Sequence, residues 1–302
     1  MSSFLSALFI SALFSLSSFA FGKILVVTTT TDLAAIVDAV GGKQVNVESI
    51  CKGTQDPHFI EPKPSYMVKA SRADLFVSIG LGLEIGWLPS ILRGARNPKI
   101  VFGQLGNLEV GPSLEVLEVP TGKVTRAQGD VHPEGNPHVT LDPIRVGEIA
   151  VLIGKRLGEI DPPNAVDYQK NAQAFKKNMD DSVKLWQERI TKSGIKKIIT
   201  HHKTLEYFVN RFGIEVPAIL EPLPGIPPTA RHTLNVIGIA KTQGVKLVLV
   251  ENFFAASVAD RIAKDVPGLK VISVPVSVGG APTIKNINDL FERLVEAIEG
   301  KK

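Results

Sequence analysis

The chain has 302 residues, 44% of them hydrophobic and 21% charged, which is an ordinary soluble mixture long enough for two domains. Its 34 basic and 30 acidic side chains are scattered, with no basic run interleaved with aromatics, and this argues against nucleic acid as a partner. The lone cysteine, Cys51, excludes an intramolecular disulfide and reads as a small buried hydrophobe.

Residues 1–22 are expected to be a signal peptide. Phe4 to Phe21 carries no charge, Lys23 is the first charged side chain, and Ser18–Phe19–Ala20 offers a small-x-small cleavage site, with Ala20–Phe21–Gly22 as an alternative. The stretch is long enough to anchor in a bilayer, but the small residues at its end suit a peptidase and no later segment resembles it. No Cys near the cleavage point offers a lipid attachment site.

Short runs rich in β-branched residues then alternate with amphipathic stretches. KILVVTTT (23–30), VNVESI (45–50), DLFVSIG (74–80) and KIVFG (99–103) predict strands, and residues 104–131 read as a long loop. The alternation resumes with KKIITHH (196–202), EVPAIL (215–220), VKLVLVEN (245–252) and LKVISVP (269–275). Strands separated by helices predict parallel sheets covered on both faces, hence an α/β protein of two halves. Between the halves, Tyr168, Ala172, Phe175, Met179, Val183, Trp186 and Ile190 recur at steps of three and four, one apolar stripe on a single long helix. Pro162 and Pro163 suit its start and Gly194 its stop. At 1.5 Å per residue the stretch spans roughly 46 Å, longer than one small domain, and predicts a strut packed across both halves.

The six histidines are the informative residues. His58 sits in QDPHFIEPKPS after the second strand, His138 in EGNPHVTLDP, and His201 and His202 end KKIITHH. Each lies beside a proline or at a strand end, and open α/β sheets bind ligands at the carboxyl ends of their strands. Neutral imidazoles converging there would suit a borderline-soft divalent cation.

The motifs DPHFIEPKPS, SRADLFVSIGLGLE (71–84), NPHVTLDP, THHKTLEYFVNRFGIE (200–215) and LVLVENFFAASVADRIAKDV (247–266), in this order around a long helix, resemble the zinc- and manganese-binding solute-binding proteins of ABC importers, also called the metal-binding lipoprotein or adhesin family. The resemblance covers essentially everything after residue 22. It implies two Rossmann-like lobes at 23–162 and 194–302, joined by a backbone helix at 163–193, with a metal site between them. By motif position its three imidazole ligands fall on His58, His138 and His202, with His201 a neighbour. It further implies a periplasmic receptor, not an enzyme, that hands Zn²⁺, less readily Mn²⁺, to an ABC permease; a monomer is expected.

At one position the chain departs from that pattern. Many members place an Asp after the last strand, where this chain has VISVPVSVGG (271–280) and no acid. Glu251, ending VKLVLVE, is the carboxylate best placed to complete the site; Glu221, His132 and a water molecule remain alternatives. Glu61 and Asp142 are expected to support ligands or cap helices, and His232 to be structural. Three histidines plus a water could also serve a zinc hydrolase, yet no His-Glu-x-x-His motif is present. A larger metal chelate is disfavoured by an aromatic content of 6%.

Overall fold

The computed structural model describes residues 22–122, 131–223 and 225–301. The expected signal peptide lies, but for Gly22, outside these residues. The chain begins with β1 (Ile24–Thr28), α1 (Thr31–Gly41), β2 (Val45–Ser49), α2 (Pro64–Arg72), β3 (Leu75–Ser78), α3 (Leu88–Ala95) and β4 (Asn107–Glu109). Two helices follow, α4 (Pro143–Ile160) and α5 (Ala165–Ser193). The rest is β5 (Ile199–Thr200), α6 (Glu206–Phe212), α7 (Ala230–Thr242), β6 (Leu247–Glu251), α8 (Ser257–Asp265), β7 (Lys270–Val274) and α9 (Ile287–Ile298). Two sheets result, ordered β2-β1-β3-β4 and β5-β6-β7, with every pairing parallel. The α/β expectation with a parallel sheet in each half is borne out.

The continuous apolar strands are the interior ones. All four residues of β3 and all five of β6 are buried, as expected for strands covered on both faces. Two predicted strands are not strands. In KIVFG, Pro98 opens a single 3₁₀ turn (Pro98–Ile100), Asn97 caps it, and Val101 and Phe102 face solvent. The slot beside β3 is taken instead by Asn107–Glu109, inside the stretch read as a loop. EVPAIL touches the second sheet only through two isolated bridges, Lys197 with Glu215 and Thr200 with Ile219. Pro217 between them has no N–H to extend the ladder.

Helix α5 has 29 residues, about 43 Å at 1.5 Å each. The predicted Pro163 start is a short 3₁₀ turn, Pro162–Asn164, before the α-helix proper. Tyr168, Ala172, Met179, Trp186 and Ile190 are buried, and the helix packs on α1 and α4 of the first half and on α9 of the second. One hydrophobic cluster therefore runs through both halves, from Leu33 and Ile153 past Met179 to Phe291 and Leu294. Smaller clusters fill the far faces, under α2 and α3 on one sheet and under α7 and α8 on the other.

The halves are also tied directly. The Tyr207 hydroxyl accepts from the Leu117 amide at 3.0 Å and donates to the Asn136 carbonyl at 2.7 Å. Arg211 donates twice to Asp142, which caps α4 and also binds Arg145. Asp32, at the start of α1, accepts the Val278 amide at 2.7 Å across 246 residues of sequence. A Cβ on Gly53 would stand 2.1 Å from the Val278 carbonyl oxygen, so only glycine lets these two loops touch.

Candidate metal centre

Three of the six histidines meet in the cleft between the halves. His58 lies in the loop between β2 and α2, where the Asp56 carboxylate accepts its backbone amide at 3.0 Å and faces its Nδ1 at 2.7 Å. The Trp87 indole pins the same loop by donating to the Pro57 carbonyl at 2.9 Å. His138 precedes the 3₁₀ turn that leads into α4, its amide held at 3.0 Å by the Asn136 side chain. His202 follows β5, and its Nδ1 faces Glu221 Oε2 at 2.6 Å. Glu221 is put there by the backbone, since Leu220 and Glu221 donate to the carbonyls of Thr200 and His201.

The three ring centroids form a near-equilateral triangle with sides of 5.1, 5.5 and 5.5 Å, the rings standing edge-on to one another. One nitrogen of each lies within 4.8 Å of the other two. With Asp56 and Glu221 on the Nδ1 atoms of His58 and His202, their Nε2 atoms are left free to coordinate. His138 is buried, and its Nε2 has no hydrogen-bond partner among the described residues. A buried acceptor without a partner is costly, and a cation would satisfy it.

Electrostatics divide the three. Burial, reinforced by repulsion from His58, His202 and His132, holds His138 well below the ordinary imidazole range. Burial also opposes charge on His202, but the Glu221 carboxylate, with Glu251 and Asp56, outweighs it and raises the pKa. Asp56 is lowered despite its burial, because the His58 ring and amide hydrogen-bond to it.

The remaining expected residues separate cleanly. His201 turns away and stacks on Phe254 at 4.4 Å. His232, on α7, points its Nε2 at the Ile219 carbonyl at 2.9 Å. Asp142 is a helix cap, and Glu61 is exposed. Cys51 is buried with its thiol pushed up by that burial, a poor state for a ligand. Glu221 supports His202 from behind. Glu251 is fully buried at the end of β6, outside the 4.8 Å cluster, and neither carboxylate oxygen has a hydrogen bond of sound geometry among the described residues. Burial raises its pKa to about 7, although the His202 charge, the Thr204 hydroxyl and nearby amides favour its ionised form. The role of Asp56 was missed in the sequence, although a D-x-H spacing is its signal: an Asp caps the amide two residues on and meets that residue's ring.

A pocket of about 250 Å³ opens outside the histidines, lined by His132, Pro137, His138, His202 and Leu223. A second groove of about 470 Å³, lined by His58, Gly82 and His132, opens on the other side.

A family model described as "Zinc-uptake complex component A periplasmic" (ZnuA) matches residues 26–300. The zinc-binding lipoprotein AdcA of Streptococcus pneumoniae is 26% identical over 245 residues, covering 81% of this chain and 48% of AdcA. The high-affinity zinc uptake system protein ZnuA of Bacillus subtilis is 24% identical over 247 residues, covering 81% and 76%. The chain spans about half the length of the first curated relatives it matches. Among solved structures, the laminin-binding protein Lmb of Streptococcus agalactiae, described as an adhesin with metal-transporting activity, superposes with a TM-score of 0.75 at 25% identity, over 92% of this chain and 99% of that one.

Proposed function

The chain belongs to the family of periplasmic zinc-uptake complex component A proteins, and on that premise we propose that it is the extracytoplasmic receptor of a metal ABC importer, with Zn²⁺ as its cargo. The observation that carries the reading is the convergence of His58, His138 and His202 from both halves of the molecule. Two of these rings have carboxylates on their far nitrogens, which fix the tautomer and make the ring a stronger donor. Imidazole donors suit zinc better than manganese, which prefers carboxylates.

Capture follows from the geometry. Nitrogens around a tetrahedral zinc at about 2.0–2.1 Å stand about 3.3 Å apart, closer than the 4.8 Å that bounds the three here. Binding draws the rings together, the ion exchanges its water for imidazole, and the opposed halves shield it until release at the permease. The domain division follows the same logic: lobes at 23–162 and 194–302 each contribute ligands, and 163–193 is the strut between them. Export through a cleaved signal peptide to the periplasm, and action as a monomer, complete the proposal. The family is one of uptake components rather than enzymes. The two carboxylates that touch the histidines are occupied on Nδ1, which leaves neither as the general base a zinc hydrolase needs.

Elemental analysis and native mass spectrometry of the purified protein after zinc loading test the reading. One zinc per chain is expected, lost in His58→Ala and His202→Ala. Unchanged zinc content in both variants would overturn it.

A further inference from the structure

The sequence leaves the fourth coordination position open, and a fourth imidazole, outside the group of three whose nitrogens lie within 4.8 Å of one another, stands beside His58. His132 Nε2 lies 3.2 Å from His58 Nε2, with ring centroids 5.3 Å apart. The His58 tautomer is set by Asp56, which accepts a hydrogen bond from Nδ1–H and leaves Nε2 bare. The His132 ring is oriented from behind in the same sense. Its Nδ1 lies against the Gly82 backbone, since a Cβ on Gly82 would come within 3.2 Å of it. Gly82 has a φ of +79°, so both its conformation and its bareness serve this approach.

Two imidazole nitrogens with bare lone pairs at 3.2 Å repel unless a proton or a cation lies against both. The separation is that of one edge of a tetrahedron of nitrogens around zinc, about 3.3 Å for Zn–N bonds of about 2.0–2.1 Å. His132 also lines the pocket that holds His138 and His202, and the groove that holds His58 on its other side. The loop that lacks an acid, Val276–Gly280, is engaged elsewhere, its Val278 amide bonded to Asp32 and its backbone pressed on Gly53. We propose that His132 is the fourth zinc ligand, completing an all-imidazole site from the same loop that supplies His138. This rests on the metal-receptor reading and specifies the coordination sphere within it. His132 lies nearer the solvent than His138, so it closes over the ion last and leaves first.

The test uses the full exported chain with Zn²⁺ and with Co²⁺, whose visible absorption reports coordination number and donor type. In His132→Ala, zinc stoichiometry is expected to stay at one while affinity falls by about tenfold to a hundredfold. The Co²⁺ spectrum should shift as water replaces nitrogen, and millimolar imidazole should restore it. Glu251→Gln should leave the spectrum as in the parent protein and lower affinity less than His132→Ala does. If His132→Ala matches the parent in both while His58→Ala loses the metal, the assignment is overturned and the receptor reading stands. If Glu251→Gln produces the losses expected of His132→Ala, the fourth ligand is the carboxylate. If His58→Ala and His202→Ala also bind like the parent, the receptor reading itself fails.

Discussion

Asp56 and Glu221 hold the rings of His58 and His202, and in the proposed site their contribution is separable from that of the ligands. Replacing either by its amide keeps the shape and removes the negative charge behind an imidazole. Asp56→Asn and Glu221→Gln are each expected to weaken zinc about tenfold to a hundredfold, measured by competition with a chromogenic chelator. Acid should weaken zinc as well, because a ligating ring must be neutral. His202 has a raised pKa, so it is the first of the rings with a resolved shift to gain a proton as pH falls, beginning above the ordinary imidazole value of about 6.5. His138 lies well below that value, and His132 falls to about 4, mainly through burial, so both stay neutral longer. Affinity measured from pH 8 to pH 5 should therefore fall first with a slope of one proton per ion. In Glu221→Gln the fall should begin at lower pH, and an unchanged profile would contradict this account. Glu251 supplies a second pH test, on stability. Its folded pKa of about 7 exceeds the unfolded value near 4.3, so folding is favoured where the group is protonated and loses stability as pH rises through 7. Glu251→Gln should raise the melting temperature of the metal-free protein more at pH 8 than at pH 5.

Helix α5 is the element that makes two halves one molecule, and its energetics are concentrated in a few residues. Trp186 is 5% exposed, packs on Phe291 with ring centroids 5.3 Å apart, and donates to Glu292 at 3.1 Å. Trp186→Ala is expected to cost about 3–5 kcal/mol in urea denaturation, by loss of buried area and the cavity left behind. The stripe carrying Trp186 was legible in the sequence because a helix repeats its exposure every three to four residues, whatever it packs against. Short strands carry no such redundancy. KIVFG has strand composition, yet Pro98 and the Asn97 cap turn it into a 3₁₀ corner, while the strand Asn107–Glu109 has one residue, Leu108, with strand composition. The three converging histidines were legible through their motifs. The partners of those histidines were less so: Glu221 reaches His202 only because Ile219 bridges to Thr200, a contact no local pattern announces. His132 faces His58 only through a loop that β3 and Gly82 position from 50 residues away.

At the scale of the molecule, the ties between the halves limit how far the cleft can open. The hydroxyl of Tyr207, the Asp142–Arg211 pair and the Asp32–Val278 bond all cross it, and the apolar cluster along α5 is shared. A wide hinge motion would break buried polar contacts and expose that cluster. Zinc binding is therefore expected to change the radius of gyration by less than about 1 Å in small-angle scattering, with the adjustment confined to loops and small tilts. The same connectivity has a consequence for biogenesis. No early portion of the chain contains the whole of the proposed site: His58, His132 and His138 are made first, His202 arrives on a different sheet, and Glu221, which steadies it, comes 19 residues later. A nascent chain folds from its N-terminus as it emerges, and until the second sheet docks its first three imidazoles lack the His202 ring. On the proposed coordination, a truncated or stalled chain keeps three imidazoles at most and is expected to hold zinc more weakly than the complete one.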